Sequence, residues 1–284
     1  MRGIMWVIVW AIIGFEGVSR GAEAMAPPAA ATDAVGIAQY TLAAGPLRIE
    51  RAPENCSGLA FNPDTKTLFV VQNKPTRITE LNLDGKPRRA IALDGFDDTE
   101  DLTYIGKGKF AVIEERRRNL CEFTLGAGIT AVSYGSAEKT LVDPVDADNS
   151  GTEGVAYDAV GKRFFVVKEK HPRKIYVVPL STDRKAPPPV TTPWDIEEDS
   201  LGCRDLSGIY YHAGTGHLLI LSDESKCVVE ATTDGREIGK LSLRAGSAGM
   251  TADAPQPEGI TMDDAGALYI CSEPDLLYVF TKKK

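Results

Sequence analysis

The chain has 284 residues, 43 % hydrophobic and 25 % charged, a globular balance that excludes both a disordered chain and a polytopic membrane protein. Against 32 Lys and Arg stand 40 Asp and Glu, a net charge of −8 with no basic block, which argues against nucleic acid as a partner. With 27 Gly, 17 Pro and three His, the composition favours the many tight turns of an all-β protein.

Residues 1–24 carry the parts of a secretory signal in order. They are a basic start at Arg2, the uncharged apolar run Ile4–Phe15, and Ala22-Glu23-Ala24 as a small-x-small cleavage site. That run is shorter than the roughly 20 residues that span a bilayer as a helix. The alternative to cleavage after Ala24 is an uncleaved anchor, which would associate the chain with a membrane. Residues 25–36 read as a flexible leader, and 37–284 as one folded domain. The expected location is the periplasm or cell envelope, or outside the cell. Five cysteines follow, Cys56, Cys121, Cys203, Cys227 and Cys271, an odd number with no CxxC pair. Cys121, Cys227 and Cys271 sit in apolar runs and read as buried thiols; a Cys203–Cys227 bridge stays open.

Five segments of the domain repeat: Ser57-Gly-Leu-Ala-Phe, Glu100-Asp-Leu-Thr-Tyr, Glu153-Gly-Val-Ala-Tyr, Ser207-Gly-Ile-Tyr-Tyr and Glu258-Gly-Ile-Thr-Met. Their first residues lie 43, 53, 54 and 51 positions apart. A turn cluster follows each, then an apolar β-type run: Leu68–Val71, Phe110–Ile113, Phe164–Val167, Leu218–Leu221 and Leu268–Cys271. A third run comes next, and two copies then show Asp84-Gly85 and Asp234-Gly235, strong hairpin signals. Four antiparallel strands per unit make the blade of a β-propeller, and five units give five blades. The last copy has room for three strands only. The orphan strand Gln39–Ala43 supplies its fourth, closing the ring and removing two open sheet edges. Ser181–Asp205 reads as one blade's outer strand plus loops.

In a propeller the first strand of each blade is innermost and runs along the axis. Ser57, Glu100, Glu153, Ser207 and Glu258 therefore ring one mouth of the central channel. The second strands return to the same face, adding Asn73, Glu115, Glu169, Asp223 and Glu273. Carboxylates gathered so closely repel: a like-charged pair at 4 Å costs about 4 kcal/mol at an effective dielectric near 20. Either some take up protons or a cation joins them. With oxygen donors alone the fitting ion is hard, Ca²⁺ before Mg²⁺. The expected ligands are Glu100, Glu153 and Glu258, with Ser57, Ser207 and Asp223 as further candidates. The outer acids Glu115, Glu169 and Glu273 have basic neighbours in sequence, and rim ion pairs are their expected fate.

Other catalytic signatures fail. Asp146–Gly151 begins like a helix-loop-helix calcium loop but has Tyr157 where that loop needs its bidentate Glu. There is no HExxH, GxSxG or phosphate-binding loop. His171, beside Pro172, reads as a lone surface histidine.

The five-fold set, with its [Ser/Glu]-[Gly/Asp]-[Leu/Val/Ile] opening and acid-ended second strand, resembles the SdiA-regulated (YjiK-like) family of bacterial envelope proteins. That resemblance implies a five-bladed propeller distantly akin to NHL repeats, an N-terminal export or membrane segment, and bound calcium; it implies no established activity. Glu100, Glu153 and Glu258 also match the positions where calcium-dependent six-bladed hydrolases similar to gluconolactonases place metal ligands. The chain departs from those enzymes in Ser57 and Ser207 and in lacking a sixth blade. Two functions follow. One is a non-enzymatic calcium-binding propeller that takes a protein or small ligand on its acidic face. The other is a calcium-dependent hydrolase of lactones or phosphoesters.

Overall fold

A computed structural model of the chain describes residues 34–50, 55–143, 151–180, 189–192 and 201–283, all within one compact unit, Ala31–Lys284. The expected signal and leader up to residue 33, and the acidic loop 144–150, lie outside the described residues.

The strands form five sheets. The first strand, β1 (Tyr40–Arg48), belongs to the last sheet. Blade one is β2 (Cys56–Asn62), β3 (Thr67–Asn73), β4 (Thr76–Leu81) and β5 (Pro87–Asp94). Blade two follows with β6 (Thr99–Gly106), β7 (Lys109–Glu114) and β8 (Asn119–Thr124). The next strand, β9 (Ala131–Ser133), turns back to pair in parallel with β5, and β10 (Glu138–Leu141) completes blade two. Blade three is β11 (Thr152–Asp158), β12 (Arg163–Lys168) and β13 (Lys174–Pro179). Blade four is β14 (Gly208–His212), β15 (His217–Ser222), β16 (Cys227–Ala231) and β17 (Glu237–Ser242). Blade five is β18 (Gln256–Met262), β19 (Leu268–Glu273) and β20 (Leu276–Lys282), closed by β1.

The fold is the expected all-β five-bladed propeller. The second strand of every blade is sandwiched between neighbouring blades and is buried at nearly every position instead of alternating. All seven residues of β2 are buried, whereas the outer β10 alternates half-buried and exposed. Phe69 of blade one meets Phe110 of blade two at 4.7 Å between ring centroids. The two Asp-Gly hairpins form as the sequence indicates, with Gly85 and Gly235 at φ 83° and 92°, a region open to glycine at little cost. All five cysteines are buried free thiols. Blade three departs from the four-strand expectation: among the described residues, only Thr191 bridges to Val177 beyond β13.

Closure is antiparallel, β1 against β20, from Tyr40 opposite Lys282 to Arg48 opposite Leu276. A second fastening lies just upstream, where the expected leader meets the domain. Glu230, fully buried on blade four, accepts hydrogen bonds from the backbone amides of Val35 (2.6 Å), Gly36 (2.8 Å) and Ile37 (3.4 Å), and contacts His217 Nδ1 at 2.8 Å. Gly36 turns the chain with φ 75°, and Ile37 is inserted with no exposed surface. Burial pushes the Glu230 carboxyl up, but the bonds from His217 and the three amides outweigh it and hold the group below the usual carboxylate range. A lowered folded value means that this fastening contributes at neutral pH and is lost as pH falls through it. Glu230→Ala orphans buried amides at a cost of about 2–4 kcal/mol. The expected result is a melting temperature lower by about 5–15 °C, with faster hydrogen exchange at Val35–Ile37.

Candidate metal centre at the acidic mouth

Four of the five mouth residues share one backbone device. The pairing of inner with second strand slips between Cys56 and Gly58, Thr99 and Asp101, Thr152 and Gly154, and Pro257 and Gly259. Ser57, Glu100, Glu153 and Glu258 are the unpaired residues of these bulges, and a bulge re-aims its side chain away from the regular alternation. Ser207 instead precedes its strand, and its hydroxyl donates to the Pro257 carbonyl at 2.8 Å.

Behind the bulges the strands close tightly on the axis. A Cβ on Gly208 would lie 2.5 Å from the Glu258 carbonyl oxygen, and one on Gly259 2.6 Å from the Leu59 amide nitrogen. Blade two has Asp101 at the equivalent position. Its Oδ1 accepts from Leu59 N (3.2 Å) and Leu102 N (2.8 Å), and its Oδ2 from Val155 N (2.8 Å). One buried carboxylate thus ties the inner strands of blades one, two and three.

Glu100 is the centre of the mouth's densest cluster. Carboxylate oxygens of Asp98, Glu100 and Glu115 lie within 4.8 Å of one another, each residue partly exposed. Asn73 Nδ2 donates to Glu100 Oε1 (3.2 Å) and Asp98 Oδ1 (3.5 Å), while its Oδ1 is buried with no partner. Burial first, then Asp98 and Glu115, push the Glu100 carboxyl up to about 7, although bonds from Asn73 and Ser57 pull it back. Glu153 is raised well above the usual range by burial and then by Glu100, Glu115, Glu169 and Glu258. Glu258 is raised by burial and then by Asp223, Glu273, Glu100 and Asp205. Glu153 and Glu258 thus stand within electrostatic reach of Glu100 but outside the tight trio.

The outer acids divide. Glu169 meets Lys170 at 2.8 Å and Asp223 meets Lys226 at 2.5 Å, as rim ion pairs. Glu115 does not follow that expectation. The arginines after it turn elsewhere, Arg116 to Asp98 (2.7 Å), Arg117 to Glu114 (3.0 Å) and Arg118 to Asp143 (3.2 Å), and Glu115 accepts from Gly151 N at 3.1 Å. Glu273 likewise accepts from Asn55 Nδ2, at 2.8 Å.

Sequence reading missed Asp98. The signal was available two residues before each repeat, where Asn55, Asp98, Gly151, Asp205 and Gln256 align. Three of these reach the preceding blade: Asn55 to Glu273, Asp98 to Asn73, and Gly151 to Glu115.

The SdiA-regulated family model matches residues 32–281, nearly the whole chain. The chain belongs to the SdiA-regulated family. Solved structures similar to this family member share its fold at low identity. Regucalcin, a calcium-binding protein from Agrobacterium tumefaciens str. C58, is 15 % identical with a TM-score of 0.53, over 84 % of this chain and 95 % of that one. A luciferin-regenerating enzyme is 13 % identical with a TM-score of 0.51, over 83 % and 94 %. A chain of a nidogen/laminin complex is 13 % identical with a TM-score of 0.51, over 76 % and 71 %. Among the described residues of the SdiA-regulated chain, no helix is long and apolar enough to cross a membrane.

Proposed function

We propose that the chain is a calcium-binding propeller of the bacterial envelope that receives a protein or small ligand on its acidic face without transforming it. The ion is held by Asp98, Glu100 and Glu115, with Glu153 and Glu258 as the opposite wall and water filling the remaining positions. Ser57 bonds to Glu100 and keeps it aimed; Ser207, bonded to the Pro257 carbonyl, and Asp223, paired with Lys226, are not among the carboxylates that close on one another and stay outside the ligand set.

One observation carries this reading: the buried, partnerless Asn73 Oδ1 beside the carboxylate trio. An orphaned buried acceptor costs about 1–3 kcal/mol. The Asn73 NH₂ donates to Glu100 and Asp98; rotation of the amide about its last bond would bring the oxygen to a cation instead. Three carboxylates, an amide oxygen and water fit the 6–8 oxygens that calcium takes, and no softer donor joins the trio. Regucalcin, similar in fold, is described as calcium-binding, which agrees with this reading. Residues 1–24 direct the chain to the envelope, either cleaved after Ala24 or kept as an anchor.

Calorimetric titration is expected to give one calcium per chain, with magnesium binding more weakly. Lactones and aryl esters are expected to show no turnover that a chelator removes. Calcium-dependent turnover would replace the binding reading with the hydrolase, and no calcium uptake would contradict both.

A further inference from the structure

The far end of the axis is built for a different guest. Counting from the mouth residue of each repeat, the fifth position is Phe61, Tyr104, Tyr157, Tyr211 or Met262: four aromatic rings and a thioether, one per blade. They line a cavity of about 320 Å³ on the face opposite the acidic mouth, within the range of small-molecule sites. Its walls are fixed in advance. Tyr211 stacks on Phe165 at 5.6 Å, Tyr157 lies 4.9 Å from Phe164, and the Tyr104 hydroxyl donates to Asp64 while accepting from Gly108 N at 3.1 Å.

The charged side chains of the lining are both acidic, Asp263 and Asp264. Asp263 is locked by the amides of Ala265 and Ala267, each at 2.9 Å, and by the Tyr269 hydroxyl at 3.0 Å. Asp264 is exposed at the rim and holds the Lys66 ammonium. That same ammonium lies 5.9 Å from the centre of the Phe61 ring. The chain's own cation therefore makes, at this opening, the two contacts that a ligand cation would make: one with a carboxylate and one with an aromatic face. An anion would meet two carboxylates, with the nearby Lys66 ammonium already held by one of them; a neutral molecule would gain nothing from the exposed Asp264.

We propose that this cavity binds a small organic ammonium with an apolar body, its cationic end displacing Lys66 from Asp264 and Phe61, its body between Tyr157 and Tyr211. The site is independent of the metal centre, and saturating calcium keeps the acidic mouth out of the measurement. The probe is benzyltrimethylammonium, titrated calorimetrically into the full chain with excess calcium, with benzyl alcohol and benzoate as neutral and anionic counterparts.

One site is expected, with benzyl alcohol weaker by about tenfold or more and benzoate not bound. Asp264→Asn should weaken the cation about tenfold and Lys66→Met should tighten it about three- to tenfold, since a competitor is removed. Both positions are exposed, so the fold is preserved, which unchanged melting temperatures check. Tyr211→Leu should weaken binding about tenfold. No binding at millimolar probe overturns the proposal. So does equal affinity for benzyl alcohol, or an affinity that Lys66→Met leaves unchanged, or one that neither Asp264→Asn nor Tyr211→Leu lowers.

Discussion

Glu100→Gln is expected to abolish the calcium-dependent gain in melting temperature while leaving the calcium-free protein at pH 8 at least as stable as wild type. The gain follows mass action. At a free calcium of 100 times the dissociation constant it is about 2.7 kcal/mol, or about 5–11 °C for a domain of this size. Losing one of three close carboxylates removes most of the attraction for the ion, and Gln preserves the shape. The calcium-free half of the expectation comes from proton linkage. Burial, Asp98 and Glu115 raise the folded Glu100 carboxyl to about 7 from an ordinary value of 4.5. The folded state therefore holds more protons than the unfolded state between those values, and calcium-free stability falls as pH rises through that window. Above it, Gln removes an unfavourable charge. In wild type, protons and calcium compete for the same oxygens, so the calcium gain should be larger at pH 8 than at pH 5.5. A full gain in Glu100→Gln, or one independent of pH, would contradict the assignment.

Asp101→Ala is expected to be the most damaging single change on the axis. It leaves the amides of Leu59, Leu102 and Val155 without their acceptor, inside a channel too narrow for easy relaxation. Burial pushes this carboxyl well up, and those three amides are what pull it back. The loss should cost about 3–5 kcal/mol, read as a melting temperature lower by about 6–20 °C. Asp101→Asn keeps one acceptor oxygen but turns an NH₂ toward a backbone N–H, and should fall between Ala and wild type. A melting temperature unchanged in Asp101→Ala would mean that the carboxylate is not what joins the three blades.

Most of the fold was legible because one pattern is written five times. A single bulged opening such as Glu153-Gly-Val-Ala-Tyr says little, but five at nearly even spacing leave a propeller as the simple solution, and the short last copy calls for β1. Where the chain stops repeating, less is legible. Nothing in Ala131–Ser133 announces a parallel fifth strand on blade one, because three residues carry no period. The stretch Ser181–Asp205 has no second copy to compare.

The site was legible in part for the same reason. Symmetry places Glu100, Glu153 and Glu258 at one mouth, and the electrostatic coupling among them follows. The tightest partners of Glu100 are not its symmetry mates. They are Asp98, ahead of its own strand, and Glu115, after the next one, and both depend on which way Arg116 and Arg117 turn. That choice is made by folded neighbours: Asp98 and Glu114 capture the two guanidiniums and leave Glu115 to face Glu100.

Crystals soaked in a lanthanide that substitutes for calcium give the most direct measurement, through the anomalous difference map. One strong peak is expected at the acidic mouth, about 2.3–2.6 Å from oxygens of Asp98, Glu100 and Glu115, with the Asn73 amide turned to present its oxygen. A peak centred on Glu153 and Glu258 without Asp98, or a mouth with no peak at all, would contradict this ligand set.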